Sequence, residues 1–146
     1  AIGRFDLLQL LYGSIVIPTA VFTEVVTQGT GKAGAAETAS ATWIERRDVS
    51  DRSKLAVLAT ALHGGESEVV ALAEELHPDL VIMDETAGRR ELASRGLSYI
   101  GTVGVVTEAK RRGVIQSLKS ELDRLRGCGF HLSDRVYQAC LAAVGE

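Results

Sequence analysis

Four short runs, SIVI at 14–17, WIERRDV at 43–49, LVIM at 80–83 and LSYI at 97–100, alternate with segments whose apolar residues recur at helical spacing, and nothing else in the chain restricts its fold as much. A parallel neighbour is reached only through a crossover, so short apolar strands alternating with amphipathic helices imply a parallel sheet covered on both faces. The predicted class is α/β, a three-layer α/β/α sandwich with a central parallel sheet. At 146 residues the chain makes one domain, 1–146, able to bury roughly two thirds of its unfolded surface. Only 5% of its residues are aromatic, so the core has to be built from Ala, Val, Leu and Ile.

The helical segments carry their own start and stop signals. RFDLLQLLYG (4–13) sets Leu7, Leu8 and Leu11 on one side and ends on Gly13, a residue suited to a left-handed cap. Pro18 suits a first helical turn and opens PTAVFTEVV, after which the glycine-rich QGTGKAG breaks the pattern and AAETASA makes a weak helix. DRSKLAVLATAL (51–62) reads as a helix with an Asp near its start, and HGGE interrupts before SEVVALAEEL (67–76). LVIM then runs straight into Asp84. TAGRRELASR ends at Gly96 and TVGVVTEAKRRG at Gly113; SELDRLRG and DRVYQACLAAVG, the latter capped by Ser133, complete the series.

Charge and cysteine content narrow the function. Net charge is −3, which argues against a generally basic coat for nucleic acid, but residues 1–83 carry 6 basic and 11 acidic side chains while residues 84–146 carry 10 and 8. A polyanion would meet the second half more comfortably. Cys128 and Cys140 form no Cys-x-x-Cys pair, so neither a disulfide framework nor a structural zinc site is expected. No apolar run approaches the ~18 residues of a membrane span, and no signal peptide opens the chain, so a cytoplasmic protein is expected, without a membrane partner.

In an open parallel sheet, functional side chains gather beyond the carboxyl ends of the strands. Asp84 holds such a position, although an Asp there also serves to cap the following helix. Glu66 opens another helix, where the dipole favours a carboxylate, and Glu24 reads on spacing alone as a solvated helix residue. Were the three to converge, a hard cation such as Mg²⁺ or Mn²⁺ would offset their repulsion, and the chemistry they suit is metal-assisted phosphodiester hydrolysis.

The fragments IPTAVFTEV (17–25), GESEVVALA (65–73), VIMDETAGR (81–89), YIGTVGVVTEAKRRGVI (99–115) and the closing GE (145–146) resemble, in order and spacing, a PIN-domain family of microbial proteins described as nucleic-acid-binding. The resemblance implies a parallel α/β/α fold and a metal-dependent ribonuclease acting on RNA or single-stranded DNA. It further implies a toxin of an antitoxin pair and a homodimer. It places the family's acidic, metal-holding and catalytic positions at Glu24, Glu66 and Asp84, and puts Glu85 and Arg89 in the same signature as substrate-side residues. Arg89 then either pairs with a phosphate or orients Asp84 or Glu85. Lys110, with Arg111 and Arg112, is either a phosphate-contacting cluster or a solvated last turn that complements its helix dipole. Proteins of this type begin with a strand ending in Asp; here that strand and its carboxylate are missing before Ala1-Ile2-Gly3-Arg4, and the expectation is that the sequence begins inside a longer protein.

Two other readings compete. A non-catalytic module could bind nucleic acid or a protein through the same fold. Gly29, Gly31 and Gly34 match the dinucleotide fingerprint, with Asp48 at 19 positions from the first, but they follow a helical segment instead of a strand. A mobile loop is the reading preferred. His63, His77 and His131 are expected at turns or surface, Ser133 and Cys140 lack a catalytic partnership, and Trp43 and Phe130 are read as core.

Overall fold

The structure, a computed structural model, describes residues 3–32 and 34–146; Ala1, Ile2 and Ala33 lie outside the described residues, and with them the first two residues of the chain and one position of the glycine-rich stretch. In chain order the elements are α1 (Asp6–Tyr12), β1 (Ile15–Pro18), α2 (Thr19–Phe22) continuing as a π-helical segment (Thr23–Gln28), α3 (Ala35–Ser40), β2 (Ile44–Arg47), α4 (Arg52–Leu58) and α5 (Gly64–Leu76). Then follow β3 (Val81–Ile82), α6 (Thr86–Ser94), β4 (Tyr99–Ile100), α7 (Thr102–Arg111), α8 (Leu118–Gly127) and α9 (Asp134–Val144). The fold is α/β with parallel strands. The chain divides into two compact units, residues 14–102 and residues 1–13 with 103–146.

All the described strands belong to the unit 14–102. β1 pairs with β2 in register from Ile15↔Ile44 to Pro18↔Arg47, and β3 pairs with β4 through Val81↔Tyr99 and Ile82↔Ile100. Among the described residues these are two separate parallel pairs. Pro18 ends β1 instead of opening the helix: its extended backbone (φ −71°, ψ 158°) precedes α2 as the capping residue, since a ring nitrogen without a proton cannot prolong a ladder. LVIM and LSYI shrink to two paired residues each, but the ladder reaches further in hydrogen bonds, with Val81 donating to Ser98 and Met83 to Ile100, both at 2.9 Å.

A core of Val49, Leu58, Leu62, Val70, Leu72, Val81, Met83 and Leu92 ties α4, α5 and α6 to β3. Complete burial of Val70 and Leu92 contributes roughly 1.5–3 kcal/mol each, and Leu92→Ala would cost about 2–5 kcal/mol. α4 stops at Leu58 rather than Leu62, and Ala59 to Leu62 close it as turns whose amides return to Leu55, Val57 and Leu58. Asp51, the Asp near its start, caps it by accepting the Lys54 amide.

The other unit is helical among its described residues. Leu7 and Leu11 of α1, Val105, Val106 and Ala109 of α7, Leu118, Leu122 and Leu125 of α8, and Tyr137 and Leu141 of α9 are buried. Buried Glu121 is held by Arg4 at 2.5 Å and Arg124 at 3.3 Å, which a carboxylate withdrawn from water requires. Ser133 caps α9 by accepting from Val136, as its sequence suggested.

Candidate functional site

β3 and β4 end on a carboxylate and a hydroxyl that face each other across the ladder. Two register steps beyond Ile82↔Ile100, Asp84 Oδ1 accepts the backbone N–H of Thr102 at 2.8 Å and Oδ2 accepts its hydroxyl at 2.5 Å. Asp84 does not cap the helix that follows it. Glu85 holds the capping position of α6, without a side-chain capping bond, and the carboxylate of Asp84 instead satisfies the first amide of α7. From α6, one turn on, Arg89 bends back: Nε donates to the Met83 carbonyl at 2.7 Å and Nη2 to Asp84 Oδ1 at 3.4 Å. Its guanidinium also lies 6.0 Å from the Tyr99 ring centroid.

Gly101 completes this arrangement by having no side chain. A Cβ there would stand 2.1 Å from Arg89 Nη2 and 2.8 Å from Asp84 Oδ1. Asp84, Arg89, Gly101 and Thr102 therefore form one socket at the end of β3–β4, with Asp84 still 37% exposed.

A second constellation surrounds the start of α5. Glu24, in the π-helical segment, accepts the Gly65 N–H through Oε1 at 3.0 Å, and Glu68, from α5, accepts the Ala20 N–H of α2 through Oε2 at 2.9 Å. Each carboxylate satisfies one of the free first-turn amides of the other's helix, where the dipole favours negative charge. The exchange explains why α5 begins at Gly64, within HGGE, and not at Ser67. Gly65 is needed there, since a Cβ would approach the two Glu24 oxygens to 2.9 and 2.8 Å.

Glu66 lies in the same first turn, half-buried. Its carboxylate meets no hydrogen-bond partner among the described residues. Glu85 is exposed.

The structure brings Glu24 to the α5 turn that carries Glu66, and Asp84 to Arg89. Lys110 belongs to the other unit, where its ammonium is bound to Glu146 at 2.8 Å and to the Gln116 carbonyl at 2.6 Å. Arg112 is tied to Glu108 and to the Leu11 carbonyl. The basic turn thus spends two of its three cations on its own unit. Gly29, Gly31 and Gly34 follow the π-helical segment and lead into the six residues of α3, which lacks the strand-to-helix turn a dinucleotide phosphate needs. His63 and His77 sit at the two ends of α5 and His131 in the connection between α8 and α9, all exposed; Trp43 and Phe130 are half-buried.

A family model described as a PIN domain matches residues 1–146. The chain belongs to the PIN-domain family. No curated protein and no solved structure matches it. The PIN fold is nuclease-like and associated with nucleic acid, and PIN domains usually use divalent metal ions. Glu24, Glu66 and Asp84 carry carboxylate oxygens, the donor type that Mg²⁺ and Mn²⁺ prefer. Their grouping falls short: among the described residues no set of three or more His, Cys, Asp or Glu side chains is placed to hold an ion. No described helix is long and apolar enough to cross a membrane.

No local pattern in the sequence singles out Glu68, Gly101 or Thr102. The nearest to a signal is that Glu68 lies two residues after Glu66 in a first helical turn. Thr102 has only its place after β4.

Proposed function

We propose that this PIN domain is a divalent-metal-dependent ribonuclease. The observation that carries the reading is the Asp84 socket: a partly exposed carboxylate at a strand's carboxyl end, oriented by three hydrogen bonds or ion contacts instead of being left to solvent. Fixing a side chain so tightly at the surface costs side-chain entropy that a solvated residue keeps, and a functional site benefits from a group held in place before its ligand arrives. Glu24, Glu66 and Asp84 would hold Mg²⁺ or Mn²⁺, which when bound supplies an activated water and charge neutralisation at the scissile phosphate. Glu66, half-buried and without a hydrogen-bond partner among the described residues, is the carboxylate freest to turn toward a ligand; Glu24 keeps Oε2 available while Oε1 holds α5.

The grouping needs another carboxylate, and the edges of the strand pairs support a place for it. β1 and β3 each pair on one side only among the described residues, and Val16 and Ile82 on them are exposed. We propose that a further extended segment ending in Asp pairs there and completes one domain. A toxin role, with an antitoxin protein as partner, and a homodimer stand as proposals on the family resemblance.

A second reading has its own support. The oxygens of Asp84 and one oxygen of Glu24 are already bonded within the chain, as suits a module that binds nucleic acid or protein without cleaving it. Cleavage of a labelled RNA by the full-length protein decides between them. The ribonuclease cuts with Mg²⁺ or Mn²⁺, stops in EDTA and loses its activity in Asp84→Asn and Glu66→Gln. Cleavage that persists in EDTA, or in Asp84→Asn, would remove the assignment; RNA binding without cleavage selects the module.

A further inference from the structure

We propose that Arg89 is a positioning residue that acts through Asp84 and does not touch the phosphate of a substrate; its importance for turnover rests on the ribonuclease reading. The guanidinium offers several N–H groups, and the geometry commits the decisive ones inward. Nε is spent on the Met83 carbonyl at 2.7 Å, a bond to the backbone just before Asp84, while Nη2 reaches Asp84 Oδ1 at 3.4 Å. Oδ1 is the same oxygen that takes the Thr102 amide. The fork therefore clamps the residue on one side and Thr102 clamps it on the other, which fixes both the peptide entering Asp84 and the carboxylate leaving it. A planar guanidinium makes this bridge and an ammonium cannot, because a point donor has no second arm to span carbonyl and carboxylate.

Gly101 is part of the device. A side chain at 101 would stand 2.1 Å from Nη2, so glycine there keeps open the slot that the guanidinium fills. That collision is with the far end of a flexible side chain, so Gly101→Ala should displace Arg89 without removing the cation, and it also presses on Asp84 Oδ1 at 2.8 Å; Arg89→Gln, which leaves position 101 unchanged, reads the clamp alone.

The test compares Arg89→Gln, Arg89→Lys and Gly101→Ala with the wild type. Cleavage kinetics read kcat and KM for a short RNA at several salt concentrations, and ¹⁵N-resolved hydrogen exchange reads the Thr102 amide in the absence of RNA and metal. Positioning predicts that all three variants lose kcat by roughly 10–100-fold. KM should stay within about twofold and its salt slope should not change, while the Thr102 amide exchanges faster. Lysine should not rescue.

A phosphate contact predicts the opposite pattern: in the Arg89 variants KM rises, the salt slope falls by about one phosphate contact, and lysine restores much of the activity. That result overturns the proposal, as does an unchanged Thr102 amide in Arg89→Gln and Gly101→Ala. Should the wild type cleave no RNA with any metal, the ribonuclease reading falls by itself, and the Thr102 amide still decides whether Arg89 clamps Asp84.

Discussion

At the end of β1–β2 the Thr19 hydroxyl donates to Asp48, one register step beyond Pro18↔Arg47, and at the end of β3–β4 the Thr102 hydroxyl donates to Asp84, two steps beyond Ile82↔Ile100. Both parallel pairs are closed by the same two residue types facing each other, with the order reversed: Thr precedes Asp in the first and follows it in the second. The surroundings differ. Asp48 takes the one side-chain bond, whereas Asp84 also takes a backbone amide and a guanidinium and sits against a glycine. A single Asp–Thr bond is enough to finish a strand pair; at Asp84 the additional contacts also satisfy the first amide of α7 and hold the carboxylate against Arg89.

The sharpest way to break this contrast is to remove each acid in turn. Asp84→Asn should lower metal-dependent RNA cleavage at least a hundredfold, because removal of one oriented ligand exceeds the 10–100-fold effect typical of its supporting groups. Asp48→Asn should stay within about twofold. Equal losses at the two positions would show that both clasps serve only the fold, and the socket would lose its functional meaning.

Removing the hydroxyls gives a smaller and purely structural comparison. Thr102→Val leaves Asp84 short of its closest bond and should cost about 1–2 kcal/mol in urea unfolding; Thr19→Val, at an exposed Asp48, should cost about 0.5 kcal/mol. The expected ratio reflects how strongly each carboxylate is enclosed. A larger loss at Thr19 would reverse the ranking.

The two regions were also unequally visible in the amino-acid order. Asp84 announced itself because an apolar run ends on it, and Asp51 and Ser133 announced their caps by standing just before helical periodicity. Thr102 is 18 positions from Asp84, and only the strand register makes them neighbours, a long-range fact that no local pattern carries. Glu24 and Glu68 illustrate the same limit: each looks like a solvated helix residue until the other helix's first turn arrives beside it. Register also hid the length of β3 and β4, since apolar runs of four residues can pair through only two when each strand has a single described neighbour. Gly65 was misread as an interruption because glycine weakens a helix, whereas the close approach of Glu24 is what requires glycine there.

The mildest prediction places a third carboxylate beside these two. In the other unit Glu146 follows Gly145, whose positive φ of 76° turns the chain back, and its carboxylate accepts the Leu118 and Lys119 amides at 2.9 and 2.8 Å. Lys110, at 2.8 Å, adds the opposite charge. The ammonium first, and then the two amides, hold the Glu146 carboxyl well below the usual glutamate range, at about 2. Because the folded value is depressed, its contribution to stability is complete above the unfolded value near 4.5 and fades as pH falls from there through about 2. NMR titration of the Glu146 carboxyl carbon should therefore show a midpoint near 2. Thermal unfolding of Glu146→Gln should differ most from wild type above pH 4.5 and converge with it on acidification. Lys110→Met should move that midpoint upward, as expected if the ammonium closes the start of α8 and is not held free for a phosphate. A midpoint unmoved by Lys110→Met would return Lys110 to the substrate side.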